Sequence, residues 1–383
     1  MIRIAQVVEA FEGGCKRHVL GLLAGLDRGR FRQTAIVGKW REEAEEIAAV
    51  TGEVETIPWD VRREIRPGPD RAAYRFLRDL FRERDFDVIH CHSAKAGFLG
   101  RLAARGQRAA VLYTPHCLPF MMAVPAWAKI GYLWLERYAG RFTDRLIAVS
   151  PSEARVAAAM RAAPADRIVT VENGIDPALA QVQVDAPAKR AELGIAEGTQ
   201  VILSVGALRP QKGHRYLIEA AALLANDWPD AVFLIAGEGP LRPQLSELSR
   251  RLSVEERVRL LGRRADVAEL LAAADLFAFP SLWEAGPYAL LEAMAVGLPV
   301  VGSRIPGVID WVTEGETGYL FPPRRSAKLA EALGVALSDR AEATHRAEAA
   351  RAMVLQRNTQ ERWLREMTAL YEECSSRIRV HPR

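Results

Sequence analysis

Short apolar segments alternate with helix-like segments along almost the whole chain, and this alternation constrains the fold more than any other feature. Such a pattern is typical of parallel β-sheets with helices on both faces. The predicted strands form two sets, at 2–8, 34–38, 87–92, 110–116, 145–150 and 168–174, and then at 201–208, 231–239, 258–263, 276–281 and 299–303. The sequence therefore predicts an α/β protein with two doubly wound parallel sheets.

The break between the two sets predicts the domain boundaries. Residues 177–195 contain two prolines and little periodicity, as is typical of a connection between domains. A chain of 383 residues is also longer than one core usually supports. We therefore expect a first domain at 1–176 and a second at 196–358, which face each other across a cleft.

The C-terminal region, residues 359–383, is predicted to contain a helix. Its apolar side chains fall on one helical stripe, formed by Trp363, Met367, Leu370 and Tyr371. We expect this helix to pack back on the first domain, and packing within the second domain is the alternative.

Charge and cysteine content exclude several classes of protein. The net charge is +4, with 27 Lys and Arg against 22 Asp and Glu in residues 1–176. This bias is compatible with an anionic ligand or a membrane surface, but it is too small for a nucleic-acid-binding protein. The four cysteines are scattered, which argues against a disulfide framework and fits a reducing cytoplasm. No apolar run reaches membrane-spanning length and no secretory signal is apparent, so we expect a cytoplasmic protein.

The stretch SLWEAGPYALLEAM at 281–294 places two carboxylates eight positions apart on either side of a Gly-Pro pair. We predict that a helix begins at or near Pro287, so that the backbone N–H groups of residues 286–290 can bind a phosphate. Glu292 could then accept hydrogen bonds from ribose hydroxyls, and Glu284 could hold hydroxyls of a second sugar. The spacing suits a nucleotide sugar, and a helix with two solvated carboxylates is the alternative interpretation.

An ordered series of motifs extends this prediction along the chain. The E-x7-E pair is followed by GLPVVGS, PGVIDWV and GETGYLFPP and preceded by VGALRPQKG and LIAGEGPLR, while the first half contains EGGCKRHV, HCHSAKAG, YTPHC, AVSPSE and VENGID. Over nearly all of residues 1–323, this series resembles the retaining glycosyltransferases of family 4 that act in bacterial polysaccharide and glycolipid synthesis. The resemblance implies the GT-B fold, in which two Rossmann-like domains face each other across a cleft.

The resemblance also implies roles for the matching residues. Catalytic roles fall to His116 beside the donor sugar, to Lys212 at the departing diphosphate, and to Glu284 near the anomeric carbon. Donor binding is implied for a larger set, which is Gly13, Gly14, Arg209, Lys212, Glu284, Gly286, Pro287, Tyr288, Ala289, Leu290 and Glu292. On the acceptor side we place Arg17, His18 and Lys95.

The chain departs from the family pattern at two positions. Ala207 stands where the family has an arginine that contacts the diphosphate, and Arg209 could supply that cation instead. Cys117 stands where a glycine commonly follows the histidine, which puts the backbone geometry beside His116 in question.

Three short patterns suggest cofactors that we do not expect. His90 and His92 share one face of a strand, but no third ligand is apparent, so we predict no metal. The D-x-D at 85–87 precedes a strand instead of following it. The G-E-G at 237–239 imitates a dinucleotide fingerprint, but Arg242 occupies the third glycine's position. We therefore expect no cofactor beyond the nucleotide-sugar substrate.

Residues 118–142 mix aromatic and basic side chains, as a membrane-interface segment does. The alternative is core packing, because the spacing of a buried helix face is shared by Ile130, Leu133, Trp134 and Tyr138. If the first interpretation holds, the protein contacts the inner face of the plasma membrane peripherally, and the acceptor is a lipid-linked saccharide.

These features predict an enzyme that transfers a sugar from a nucleotide-diphosphate sugar to an acceptor hydroxyl, with retention and without a metal. The acceptor would be a glycan or a lipid-linked saccharide in cell-surface polysaccharide synthesis, and we expect no nucleic-acid partner. Two alternatives remain, a GT-B-fold sugar-nucleotide epimerase and a noncatalytic sugar-nucleotide-binding protein.

Overall fold

A computed structural model describes residues 1–9, 11–38, 41–52, 54–62, 64–182 and 184–380, with only the backbone described for 41–44 and 377–380. The chain divides into two compact units. The first consists of Met1–Asn173 together with Glu361–Arg383, and the second is Gly174–Gln360. The two ends of the chain therefore belong to one unit, and the other is a single continuous stretch.

The first unit is built on a parallel sheet that, over the described residues, has seven strands in the order β3-β2-β1-β4-β5-β6-β7. The strands are β1 (Ile2–Val8), β2 (Phe31–Gly38), β3 (Glu55–Trp59), β4 (Val88–His92), β5 (Ala110–Thr114), β6 (Arg145–Ala148) and β7 (Ile168–Thr170). Its helices are α1 (Gly13–Gly25), α2 (Arg41–Thr51), α3 (Pro67–Glu83), α4 (Ala94–Ala103), α5 (Ala126–Gly140) and α6 (Pro151–Ala159), joined by the C-terminal helix described below.

The second unit has a parallel sheet whose described part contains six strands in the order β10-β9-β8-β11-β12-β13. The strands are β8 (Val201–Val205), β9 (Val232–Ala236), β10 (Val258–Gly262), β11 (Leu276–Phe279), β12 (Val300–Ser303) and β13 (Tyr319–Phe321). The helices are α7 (Ala186–Glu192), α8 (His214–Leu223), α9 (Arg242–Arg251), α10 (Val267–Ala273), α11 (Tyr288–Val296), α12 (Ser326–Ser338) and α13 (Arg340–Arg357).

Both sheets are doubly wound, which confirms the predicted α/β class of two parallel-sheet domains. The central strands are largely buried and most of their side chains are apolar, as is typical of parallel sheets. Strand β4 is the exception, because it carries the buried His90 and His92. The strand order reverses between β1 and β4 in the first sheet and between β8 and β11 in the second. In such sheets ligands bind beyond the carboxyl ends of the strands at this reversal. The loops that follow these four strands are therefore where a site is expected.

The strand predictions were incomplete at the sheet edges and too long at the carboxyl ends. Strand β3 contains a proline and β13 has three residues, so neither has the continuous apolar run of a central strand. The predicted segment 110–116 ends as a strand at Thr114, and 276–281 ends at Phe279. The residues beyond these ends lie in loops, and several of them belong to the candidate site.

The C-terminal helix α14 (Gln360–Val380) packs on the first unit. Its apolar stripe of Trp363, Met367, Leu370 and Tyr371 is buried in one cluster with Ile4, Leu22 and Val88. Glycines on α1 permit the close approach, because a Cβ on Gly21 would lie 2.9 Å from the Trp363 ring and one on Gly25 would lie 2.5 Å from Leu364. The helix therefore completes the hydrophobic core of the first unit.

The segment 177–195, which we predicted to connect the domains, lies within the second unit. It forms a 3-10 turn at Pro177–Gln181 and helix α7, where Lys189 pairs with Asp266 at 2.8 Å. The chain passes between the units at Asn173–Gly174 and again at Gln360–Glu361. None of the helices in the described part of the chain is long and apolar enough to cross a bilayer.

Candidate functional site

In the second unit, the predicted residues Lys212 and Glu284 form an ion pair at the reversal of the strand order. Lys212 lies in the loop after β8 and Glu284 in the loop after β11. Lys212 Nζ lies 2.6 Å from Glu284 Oε1, and the Glu284 side chain is 7% exposed. Gln211 Nε2 donates to the Trp283 carbonyl at 3.0 Å and to Glu284 Oε2 at 3.4 Å. The paired cation and the amide compensate for burying the carboxylate, which would otherwise be costly.

Two glycines allow the loops around the Lys212–Glu284 pair to approach each other closely. Gly213 follows Lys212 with a positive φ of 64°, and a Cβ there would lie 2.1 Å from the Pro280 carbonyl oxygen. Gly307, in the PGVIDWV motif, has a φ of 80°, and its Cβ would lie 2.7 Å from the Glu284 carbonyl oxygen. A side chain at either position would separate the loops, so only glycine permits this arrangement.

The predicted phosphate-binding segment surrounds the start of α11. Pro287 is the N-cap residue and the helix begins at Tyr288, one residue later than predicted. The helix N-terminus is thus formed by Gly286, Pro287, Tyr288, Ala289 and Leu290. The positive end of the helix dipole lies there, which favours an anion. Glu292 lies further along the same helix, and its side chain is buried. Glu284, the start of α11 and Glu292 therefore lie on one continuous loop–helix segment of the second unit.

Arg209 and Ala207 lie in the loop after β8, close in sequence to Lys212. Ala207 is exposed, Arg209 is half-buried, and Arg209 starts the 3-10 turn Pro210–Lys212. Arg209 and Lys212 therefore belong to the same short turn at the carboxyl end of one strand.

In the first unit, the predicted donor-binding glycines lie at the start of α1. Gly13 has a positive φ of 54°, and a Cβ there would meet nothing within 4 Å. Gly14 is exposed. The backbone conformation explains the glycine at position 13, and both residues leave the start of the helix accessible.

The predicted acceptor-side residues do not behave alike. Arg17 is half-buried on α1, whereas His18 is completely buried. The Lys95 side chain is 9% exposed, and its ammonium group pairs with Asp70 at 2.7 Å. His18 therefore does not present its ring to solvent, and Lys95 is already neutralised by a carboxylate of α3.

His116 lies in the loop after β5, and the backbone of this loop has an unusual conformation. His116 has a φ of 55° and Cys117 a φ of 115°, both in the region that favours glycine. This conformation agrees with the family's glycine after the histidine. A nonglycine residue in this backbone conformation is strained by about 1–3 kcal/mol, so the surrounding structure must hold it there.

Glu153 imposes this loop conformation, and we did not predict a role for it. Its Oε1 accepts the Cys117 N–H at 2.9 Å and its Oε2 accepts the Val149 N–H at 3.0 Å. Burial raises the pKa of Glu153 to about 7, although the backbone N–H bonds act in the opposite direction. The Ser-x-x-Glu pattern at 150–153 is typical of a capping box, and Ser150 Oγ accepts the Glu153 N–H as that motif requires. This capping-box pattern is the sequence signal from which the structural role of Glu153 could have been predicted.

Helix α5 presents an apolar face to solvent, which contradicts the core-packing interpretation of its spacing. Trp127 is 77% exposed, Trp134 67% and Ile130 59%, and Tyr138 is exposed too, whereas Leu133 packs on the core. The opposite side of α5 is fixed by the buried Glu136, whose carboxylate accepts from Arg101 at 2.7 Å and from the Tyr113 hydroxyl at 3.1 Å. The exposed aromatic face therefore belongs to a firmly anchored helix.

The sequence matches two family models that together cover most of the chain. The model for "Glycosyltransferase Family 4" matches residues 12–179, and the model for "Glycosyl transferases group 1" matches residues 185–353. Each match falls almost entirely within one structural unit.

Curated relatives carry glycosyltransferase names. The chain is 35% identical over 255 residues to the UDP-Gal:alpha-D-GlcNAc-diphosphoundecaprenol alpha-1,3-galactosyltransferase of Escherichia coli, which covers 64% of this chain and 65% of that protein. It is 32% identical over 274 residues to the D-inositol 3-phosphate glycosyltransferase of Nocardia farcinica, covering 67% and 59%. The matched regions thus span just under two thirds of these relatives.

Solved structures with the same fold include proteins crystallised with nucleotides. HepE of Anabaena, in complex with UDP and glucose, superposes with a TM-score of 0.81 and 22% identity over 97% of this chain and 100% of that one. Sucrose-phosphate synthase of Thermosynechococcus elongatus gives a TM-score of 0.82 with 21% identity, over 97% and 99%. At this identity the likeness establishes the fold, which is that of GT-B glycosyltransferases.

Proposed function

Because the chain belongs to the family 4, group 1 glycosyltransferases, we propose that it transfers a sugar from a nucleotide-diphosphate sugar to an acceptor hydroxyl. The observation that carries this proposal is the Lys212–Glu284 pair beside the start of α11. A cation, a helix N-terminus and a carboxylate at the strand-order reversal are the groups that a diphosphate sugar requires.

The second unit binds the donor in this proposal. The N–H groups around the start of α11, other than at Pro287, and the side chains of Arg209 and Lys212 receive the diphosphate, whose charge complements both the helix start and the cations. Glu292 binds the ribose hydroxyls, and Glu284 binds hydroxyls of the transferred sugar. Lys212 pairs with Glu284, and a bound diphosphate would compete for the lysine and leave the carboxylate available to the sugar.

The transfer proceeds with retention and without a metal ion. The bond between the anomeric carbon and the diphosphate oxygen breaks while the acceptor oxygen bonds to the same face of that carbon. The proton of the acceptor hydroxyl passes to the departing phosphate. Lys212 stabilises the negative charge that develops on the diphosphate, and Glu284 supports the positive charge at the sugar ring. His116 lies beside the donor sugar, as the family resemblance implies.

The acceptor in this proposal is a lipid-linked saccharide at the inner face of the plasma membrane, used in cell-surface polysaccharide synthesis. The exposed aromatic face of α5, with the basic Lys129 and Arg141 nearby, is suited to the headgroup region of a bilayer. The E. coli relative acts on a diphosphoundecaprenol-linked sugar, as its name states. The enzyme would then be a cytoplasmic protein that binds the membrane peripherally.

A thermal-shift screen against UDP-, GDP- and ADP-linked sugars tests the donor assignment. A ligand that binds only the folded protein raises its melting temperature. We expect one nucleotide class to do so, and UDP-sugars are the first choice because HepE was crystallised with UDP. The expected shift should be lost in Glu292→Ala.

Lys212→Ala tests the chemical role separately. It should lower turnover by more than tenfold, which corresponds to about 1.4 kcal/mol of transition-state stabilisation. Lys328→Ala is the matched control, because Lys328 is an exposed lysine of the same unit. Unchanged kinetics in Lys212→Ala together with unchanged donor binding in Glu292→Ala would discard the site. Donor binding without turnover on any acceptor would instead indicate a noncatalytic binding protein, and conversion of the donor alone would indicate an epimerase.

A further inference from the structure

Three histidines from separate elements of the first unit meet at one point. His18 comes from α1, His92 ends β4, and His116 follows β5. One ring nitrogen of each lies within 4.8 Å of a ring nitrogen of both others. His92 Nδ1 and His116 Nε2 are 3.2 Å apart. His18 and His92 are completely buried, while His116 is half-buried and gives the cluster a route to solvent.

We propose that His18, His92 and His116 form a binding site for a divalent transition-metal ion, with Zn²⁺ as the best match and water as the fourth ligand. Tetrahedral zinc about 2.0–2.1 Å from each nitrogen separates its ligand nitrogens by about 3.3 Å. The His92–His116 distance already has this value. The three ligand nitrogens lie within 4.8 Å of one another, so an ion would draw the His18 ring closer to the other two.

The hydrogen bonds around His92 leave the correct nitrogen available. Gln6 Nε2 donates to Gln33 Oε1 and to the Tyr371 hydroxyl, which fixes the orientation of the Gln6 amide. Gln6 Oε1 therefore accepts from His92 Nε2 at 2.9 Å. The neutral His92 ring then carries its lone pair on Nδ1, the nitrogen that faces His116. Metal-binding histidines typically donate their other N–H to an oxygen in this way.

His18 has the same arrangement and an unsatisfied nitrogen. Its Nδ1 lies 3.1 Å from Asn173 Oδ1, which can only accept, so Nδ1 carries the proton. Its Nε2 is buried and has no hydrogen-bond partner among the residues that the structure describes. An unsatisfied buried polar atom destabilises the folded protein, and a metal ion would satisfy this one.

His90 is excluded from this site, although the sequence suggested it together with His92. The Tyr371 hydroxyl, which accepts from Gln6, donates to His90 Nδ1 at 2.7 Å. His90 Nε2 then donates to Thr114 Oγ1 at 2.8 Å. Both nitrogens of His90 are therefore engaged. The sequence prediction of no metal considered only the His90–His92 pair, whereas the structure places His92 beside His18 of α1 and His116 of the loop after β5.

A metal ion here would affect sugar transfer. Coordination would withdraw His116 from the donor sugar, so bound zinc should inhibit the enzyme reversibly. This consequence rests on the proposed function, whereas binding of the ion does not. If the protein transfers no sugar under any condition, the proposed function fails and the metal site is still decided by binding measurements.

Titration of the chelator-treated full-length protein with Co²⁺ and then Zn²⁺ tests the site directly. We expect one Co²⁺ per chain with the visible absorption of tetrahedral coordination, displaced by one Zn²⁺. The melting temperature should rise with the concentration of free Zn²⁺. Absence of stoichiometric binding to the wild-type protein would overturn the proposal.

Three variants locate the bound ion. His18→Gln removes a ligand and should weaken binding by at least a hundredfold. Asn173→Ala removes only the oxygen that orients His18 and should weaken binding by about 10–100-fold, which keeps the test decisive if His18→Gln does not fold. His345→Gln is the matched control, because His345 is an exposed histidine of the second unit, and it should leave binding unchanged. Unchanged affinity in both first-unit variants would place the ion elsewhere and refute the site.

Discussion

Replacing Glu153 by glutamine should change stability in a way that depends on pH. The carboxylate accepts two buried backbone N–H groups, from Cys117 and Val149. Glutamine has the same shape, but its amide nitrogen cannot accept, so one of these N–H groups loses its partner. Leaving such a group unsatisfied costs about 1–3 kcal/mol.

The pH dependence follows from the raised pKa of this carboxyl group. Burial raises it to about 7, from an ordinary value of 4.5 that applies in the unfolded chain. Between these values the native Glu153 holds more protons than it does in the unfolded chain, so its contribution to wild-type stability is fully present below pH 4.5 and is lost as the pH rises through 7. The loss between pH 5 and pH 8 is about 2.5 kcal/mol. Glutamine does not titrate, so the stability difference between the wild type and the variant should be about 2.5 kcal/mol smaller at pH 8 than at pH 5.

Urea denaturation at pH 5, 6, 7 and 8 measures this difference. The two units can unfold in separate transitions, so the free energies of unfolding are compared for the transition whose midpoint the substitution changes. Glu83→Gln, on the exposed side of α3, is the matched control and should show no pH-dependent difference. A Glu153→Gln difference that stays constant from pH 5 to pH 8 would refute the assignment of Glu153 as a buried acid that titrates near neutrality.

Two further predictions concern the same unit. Cys117→Gly should raise the melting temperature by about 2–4 °C, because glycine adopts the φ of 115° without strain; Cys117→Ala keeps the Cβ, and an equal gain with alanine would contradict the explanation. The double variant Trp127→Ser with Trp134→Ser should lower binding to vesicles containing anionic lipid by at least about tenfold. The reason is that burying each exposed indole in the bilayer contributes about 1.5–3 kcal/mol to binding. Leu223→Ser, an exposed apolar residue of the second unit, is the control for a sedimentation assay, and equal losses in both proteins would count against α5 as the contact.

The donor side of the site could be predicted from sequence because its parts lie close together along the chain. Glu284, the start of α11 and Glu292 occupy a single strand–loop–helix segment, in which local rules fix the order of the groups. Lys212 is distant in sequence, but the parallel-sheet pattern already places the ends of β8 and β11 near the same edge. The fold class followed from the same pattern.

The histidine cluster could not be predicted in this way. His18 lies on a helix with no periodic signal for its partner, and its position depends on Asn173, which is 155 residues away in sequence. The sequence left the orientation of α5 undecided between core packing and membrane contact for a different reason. An apolar stripe at helical spacing is the same whether a core or a membrane covers it, so Ile130 and Trp134 give no sign of which side they face.

The first unit is assembled from both ends of the chain, and this has a consequence for its synthesis. Residues 361–380, which carry Trp363, Met367 and Tyr371, are synthesised only after the whole of the second unit. At about 5–20 residues per second, roughly 10–40 s separate the translation of residue 173 from that of residue 361. For that interval, while the second unit is being synthesised, the nascent N-terminal sheet exposes the apolar surface that α14 later covers. A nonsense mutation just before α14 should therefore leave the first unit prone to aggregation while the second unit keeps all of its residues.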